Sequence, residues 1–204
     1  IIIMIKSINF KEKKALFVFL EKKINNKILL IAGGRIIKQF IKYLSSNSVL
    51  ISKKLILTDE RLVNLNSNFR NDKIIKKLLI KKKLLNKKNF INYKKHNYDF
   101  KYLRKFNDNV KNIIPDLAIL SLGSEGHIAG IFNLKEKNFK NEKMFNFYHS
   151  DNKKPKNRIS CSDKYIKKSK KLFLIVRKEK NDLKIFEKKY ANLILKNNIF
   201  YLFI

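Results

Sequence analysis

The stretch DLAILSLGSEGHIAGIF, residues 116–132, decides the fold. Its first half is an almost unbroken apolar run that follows Pro115 and stops at Gly123. A run of that length bounded by turn residues reads as a strand buried on both faces, as in the interior of a parallel sheet. Its second half is a short loop flanked by Gly123 and Gly126 that carries Glu125 and His127. Histidine exchanges a proton near neutral pH, and a neighbouring carboxylate can fix its tautomer and raise its basicity. His127 is one of three histidines in the chain, and its place at a strand's carboxyl end marks it as a candidate catalytic base.

The same pattern repeats on either side. Residues 27–32, KILLIA, form a second apolar run that ends at Gly33-Gly34-Arg35. Residues 54–58, KLILT, form a third and end at Asp59-Glu60-Arg61. Further strands are expected at 172–176 and 199–204. Helical periodicity covers about 10–24, 36–45, 72–85, 93–113, 163–171 and 179–191. Strands alternating with helices imply an α/β fold: a Rossmann-like, doubly wound, mostly parallel sheet with helices on both faces. Such sheets bind ligands at the carboxyl ends of their strands, where the notable residues cluster. No repeat or Gly/Ser-rich linker divides the chain, so residues 1–204 are expected to form a single domain.

Glycines after a strand let backbone N–H groups approach an anion, so Gly33, Gly34 and Arg35 are candidate phosphate ligands. Asp59 and Arg61 can orient a polar substrate. Residues 153–160, KKPKNRIS, add a basic cluster in which Arg158 is the informative member, because lysines are abundant everywhere. Walker, Gly-x-Gly-x-x-Gly, Gly-x-Ser-x-Gly and Cys/His metal-site patterns are missing from the sequence. Cys161 is the single cysteine, which excludes an intramolecular disulfide and fits a reducing compartment.

The formal net charge of +32 suggests nucleic acid at first sight. Only six of the 48 basic residues are Arg, however, and Asn and Ile are frequent while Ala, Gly and Pro are scarce. That bias follows A/T-rich codons and points to an AT-rich genome rather than to a binding surface. No nucleic-acid partner is expected. The apolar opening Ile-Ile-Ile-Met-Ile is too short for a membrane span, so a cytoplasmic protein with no membrane association is expected.

Taken in order, these segments resemble the 6-phosphogluconolactonase family, within the larger group that includes glucosamine-6-phosphate deaminase. LLIAGGR (29–35) is similar to the family's Ser-Gly-Gly-(Ser/Arg)-Thr-Pro loop. LTDERLVNLNSNFR (57–70) is similar to Asp-Glu-Arg-x-Val…Ser-Asn. DLAILSLGSEGHIAGIF (116–132) is similar to the family's Gly-x-Gly-x-Asp-Gly-His signature. KKPKNRIS (153–160) is similar to Pro-Lys-Pro-Pro-x-Arg-Ile-Thr, and LFLIVRKEK (172–180) to the strand and Gly-x-x-Lys that follow.

The resemblance implies hydrolysis of a phosphosugar lactone, with no metal or organic cofactor, by a monomer or homodimer. It implies His127 as general base, with Asp59 and Glu125 beside it in the catalytic group. Arg61 and Gly126 would bind the sugar, and Gly33, Gly34, Arg35, Arg158 and Lys180 the phosphate. The deaminase is the competing reading; Ile128-Ala129 suits it, while Arg61 and Gly130-Ile131-Phe132 suit the lactonase. A basic nucleic-acid-binding protein is the competitor of a different class. The sequence departs from the lactonase pattern at Glu125 (usually Asp), at Ile36-Ile37 (usually Thr-Pro) and at Arg177 (usually Gly). It also stops at Ile204, so a C-terminally shortened domain is expected.

Overall fold

Leu29, Leu30 and Ile31 are all buried. Successive residues of a strand point to opposite faces, so a strand buried at every position must be covered on both sides. The same holds for Leu117–Leu120 and Leu172–Val176. The computed structural model describes residues 6–51, 53–132, 144–150, 153–177, 180–194 and 198–204, with backbone alone at 180 and 181.

In chain order the elements are β1 (Lys6–Asn9), α1 (Lys13–Ile24), β2 (Ile28–Ile31), α2 (Arg35–Ser46), β3 (Lys54–Leu57), β4 (Asp59–Arg61) and α3 (Asp72–Ile75). Then come β5 (Phe90–Ile91), α4 (Phe100–Val110), β6 (Leu117–Ser121), β7 (Phe145–His149), β8 (Asn157–Cys161) and α5 (Asp163–Lys167). The chain ends with β9 (Lys171–Val176), α6 (Lys180–Lys189), α7 (Ala191–Ile194) and β10 (Asn198–Phe203).

Seven strands form one sheet in the order β1-β10-β9-β6-β2-β3-β5. Every pair in it is parallel. From β2 the chain moves outward through β3 to β5, and from β6 it moves the other way through β9 to β10. The winding therefore reverses between β2 and β6, which lie side by side. At such a switch point the connections leave in opposite directions and open a crevice beyond the strand ends. Gly33-Gly34 and Gly123 flank that crevice.

A second sheet was not expected. β4, β8 and β7 pair antiparallel, with Asp59 opposite Ser160 and Arg61 opposite Arg158. Thr58 O accepts from Cys161 N at 2.6 Å, so β3 runs straight on into this sheet. Asp-Glu-Arg has little intrinsic strand preference. Its pairing with β8, and the buried ion pairs described below, hold it extended. The basic cluster at 153–160 thus carries a strand.

Several helices are shorter than the periodicity predicts; the one expected over 163–171 ends at Lys167, and Lys171 already belongs to β9. The helix expected over 72–85 is α3 followed by a wider turn at Lys76–Ile80, where Lys81 N bonds to Lys76 O. The helix expected within 93–113, starting somewhere after Tyr93, begins at Phe100, where the Asp99 carboxylate caps Tyr102 N. Asn92 and Tyr93 are engaged elsewhere: the Asn92 amide donates to Asp72, and the Tyr93 carbonyl accepts from Arg70. Among the described residues no helix is long and apolar enough to cross a membrane.

Candidate active site

A cleft of about 360 Å³ opens at the switch point. Its floor is Ala32, Gly34, Ser121 and Gly123; its walls carry Asp59, Arg61, His127, Lys153, Arg158 and Arg177.

One wall is β4 with the segment that follows it. Asp59 is buried, and its carboxylate accepts from Thr58 Oγ1 at 3.0 Å and from Asn71 Nδ2 at 3.1 Å. Asn71 Nδ2 also reaches Asp59 O at 3.0 Å. The Asn71 amide lies directly over Gly33, where a Cβ would come within 2.0 Å of it. Gly33 is thus required for the close approach of Asn71. Arg61 Nε stands 3.8 Å from Asp59 Oδ2, and its Nη1 donates to Phe69 O at 2.8 Å. Behind them, out of the cleft, Glu60, Arg70 and Asp72 are each 1% exposed. Glu60 accepts from the backbone N–H groups of Arg61, Asn71 and Asp72, and Arg70 lies 3.6 Å away. Burial pushes the Glu60 carboxyl up to about 7, against the opposing pull of Arg70 and the amides of Asn71 and Arg61.

The other wall is the loop after β6. His127 Nδ1 lies 2.7 Å from Ser124 O. A carbonyl oxygen only accepts, so the neutral imidazole carries its proton on Nδ1 and its lone pair on Nε2. The ring lies flat over Gly123, where a Cβ would come within 2.0 Å of Cε1. Phe132 packs on the ring with centroids 4.5 Å apart, and Arg158 stacks on Phe132 at 4.5 Å. One phenyl ring therefore packs against both the imidazole and a guanidinium. Burial pushes the His127 pKa below its ordinary value; the Ser124 bond opposes this, and the charges of Lys153, Lys189 and Arg158 add to it. Lys153 Nζ reaches Ser124 Oγ at 3.0 Å.

Arg61 and Arg158 are cross-strand partners, and Arg158 Nε donates to Pro155 O at 3.2 Å. Burial is the main cause lowering the Arg158 pKa, with Arg61 adding to it. Like charges directly opposite each other are unfavourable unless an anion lies between or beside them. Arg35, the first residue of α2, and Arg177, just beyond β9, line the same space. Four of the chain's six arginines therefore line this one cleft, in a protein that otherwise uses lysine.

Six of the residues picked from the sequence line the cleft: Gly34, Arg35, Asp59, Arg61, His127 and Arg158. Gly33 sits beneath Asn71. Gly126 is buried under α6, where a Cβ would lie 2.6 Å from Phe186 N, so its role is packing. Glu125 is exposed, and the Nδ1 partner of His127 is the Ser124 carbonyl, not the Glu125 carboxylate. The Lys180 side chain lies outside the described residues. Sequence reading missed Asn71, Phe132, the Ser124 carbonyl and Asp182. A backbone acceptor has no sequence signature, and one Asn among many attracts no notice. Among the described residues no cluster of three His, Cys, Asp or Glu side chains is placed to hold a metal ion.

A family model described as glucosamine-6-phosphate isomerases/6-phosphogluconolactonase matches residues 15–188. A curated 6-phosphogluconolactonase from Borreliella burgdorferi is 29% identical over 161 residues, which cover 71% of this chain and 65% of that protein. The chain thus spans just under two thirds of that relative's length. The crystal structure of a 6-phosphogluconolactonase from Thermotoga maritima superposes with a TM-score of 0.80 at 19% identity, covering 98% of this chain and 100% of that one. That of the Plasmodium vivax 6-phosphogluconolactonase gives 0.79 at 17%, covering 100% and 90%. At such identities the superpositions speak for the fold, while the sequence match places the chain: it belongs to the glucosamine-6-phosphate isomerase/6-phosphogluconolactonase family.

Proposed function

We propose that the chain is a 6-phosphogluconolactonase, which hydrolyses 6-phospho-D-glucono-1,5-lactone to 6-phosphogluconate in the oxidative pentose phosphate pathway. One observation carries the reading. A neutral histidine, with its proton fixed on Nδ1, stands in a cleft lined by four arginines.

Nε2 of His127 takes a proton from water, and the water oxygen attacks the lactone carbonyl carbon. The tetrahedral adduct collapses, the ring ester bond breaks, and the ring oxygen takes the proton back from Nε2. The released acid ionises at neutral pH, so the product gains a carboxylate in a cationic cleft. Asp59 and Arg61 orient the sugar hydroxyls and the carbonyl. Gly34, Arg35, Arg158 and Lys180 hold the phosphate. A lactone is a reactive ester, so one base and firm positioning suffice without metal or organic cofactor. A soluble phosphosugar substrate fits a cytoplasmic enzyme.

The deaminase reading fits less well. Its substrate carries an amino group, and its reaction brings cationic nitrogen into a cleft where Arg35, Arg61, Lys153, Arg158 and Arg177 outnumber the carboxylates of Asp59 and Asp182. Freshly prepared 6-phosphogluconolactone and glucosamine 6-phosphate, offered to the same preparation, separate the two. Accelerated lactone loss without ammonia release is expected. Lactone loss at the buffer rate overturns the proposal, and ammonia release replaces it with the deaminase.

A further inference from the structure

His127 is held by a peptide group that is itself held from the other side. The carbonyl that accepts its Nδ1–H belongs to Ser124, and the N–H of the same peptide plane belongs to Glu125. That N–H donates to Asp182 Oδ1 at 2.8 Å, from the first turn of α6. The order is therefore Asp182 carboxylate, the Ser124–Glu125 peptide, and the His127 imidazole, joined by bonds of 2.8 and 2.7 Å. A peptide whose N–H faces a negative charge has a more negative carbonyl oxygen, and hydrogen bonds in series strengthen one another. The peptide is also held in an unusual conformation. Glu125 has φ of 59° and Gly126 of 66°, and the first is uncommon for a residue with a side chain. Asp182 bonds the backbone there, and Gly126 lets α6 come down onto the loop.

We propose that Asp182 is a positioning residue for the catalytic base: through the Ser124–Glu125 peptide its carboxylate fixes the imidazole of His127 in the Nδ1–H tautomer. The carboxylate-to-imidazole contact familiar from catalytic histidines is here made through one backbone peptide, and Asp182 takes the place expected of Glu125. Its importance for turnover rests on the lactonase reading; the effect on the imidazole does not.

The charged groups that act on His127 are Lys153, Lys189 and Arg158; Asp182 stands across the Ser124–Glu125 peptide and also lines the cleft, and Glu125 acts on Lys189. The test is nitrogen-15 NMR titration of the three histidines in the free protein, with no substrate. Asp182→Ala should lower the Nδ1–H fraction of neutral His127 and move its titration about 0.5 unit to lower pH, because a nearby negative charge that favours the imidazolium is gone. Asp182→Asn keeps an acceptor oxygen without the charge, so it should keep the tautomer and show the lower titration. The Asn variant also serves if the Ala variant does not fold. An unchanged tautomer in Asp182→Ala overturns the proposal, even if the titration moves, since a charge acting through space does only that. An unchanged titration in Asp182→Asn overturns it as well. Where the lactone is turned over, Asp182→Ala should reduce kcat about 10-fold with KM within about 2-fold. Loss of thermal stability alone, with tautomer and titration intact, means a packing role and sinks the idea.

Discussion

The two walls of the cleft are built from opposite materials. The wall after β3 rests on a dry ion-pair cluster, in which Glu60, Arg70 and Asp72 are withdrawn from water and each carboxylate oxygen is bonded. The wall after β6 is a short loop with exposed Ser124 and Glu125, faced by a half-exposed lysine. Burial acts on both in the same sense, against charge. It pushes the Glu60 carboxyl up to about 7 and the His127 imidazole down. On the dry wall this is the cost of a rigid scaffold that Arg70 and three amides offset. On the wet wall it keeps the imidazole neutral, as the proposed role of His127 requires. Stability is therefore expected to reside in one wall and turnover in the other.

His127→Ala should break the wet wall alone. The rate of lactone hydrolysis should fall about 1,000-fold, the scale of a lost general base. Unfolding free energy should change by no more than about 1 kcal/mol, because the ring is only half-buried. Stopped-flow assay and urea denaturation of one preparation give both numbers. A rate within 10-fold of the parent removes His127 from its role.

Glu60→Gln should break the dry wall. The amide cannot accept every N–H that the carboxylate accepts, and it leaves Arg70 with less compensation in the interior. The expected loss is about 3 kcal/mol of stability at pH 8. The sign of its pH dependence is fixed. A carboxyl whose folded pKa is raised binds its proton more tightly in the fold than unfolded. The parent therefore gains stability as pH falls from 7 toward 4.5, at up to about 1.4 kcal/mol per unit from this group. The variant lacks that gain, so the gap between the two should be wider at pH 5.5 than at pH 8. A gap that narrows means that Arg70 and the amides outweigh burial.

The parallel sheet was legible because its strands are continuous apolar runs, and KILLIA and DLAIL are short and bounded by glycine or proline, which favours strand over helix. The glycine positions and His127 followed from those strand ends. The second sheet was not legible, because Asp59–Arg61 becomes a strand only through Asn157–Cys161 and the ion pairs behind it. The partner of His127 was misread for a related reason. A carboxylate two residues away in sequence is visible, whereas a peptide bonded to an aspartate 57 residues away is not. Arg177, a departure from the family pattern, proves to line the cleft, so it adds to the cationic lining that Ile36-Ile37 cannot supply.

The smallest expected effect tests how far the wet wall is electrostatically its own. Lys153 lies beside Ser124, and its charge is among those that depress the His127 pKa. Removing a positive charge favours the imidazolium, so Lys153→Met should move the acid limb of kcat/KM to higher pH. Solvent screens a half-exposed lysine, which limits the shift to about 0.3 unit, and 0.5 M salt should shrink it further. Asp182→Asn, which removes a negative charge from the first turn of α6 against the same loop, should move the limb the other way. Glu60→Gln should leave it in place, since Glu60 is buried behind the opposite wall and does not line the cleft. Opposite shifts from Lys153→Met and Asp182→Asn and none from Glu60→Gln would separate the walls. A limb that follows Glu60→Gln would mean that the dry wall sets the base as well as the scaffold.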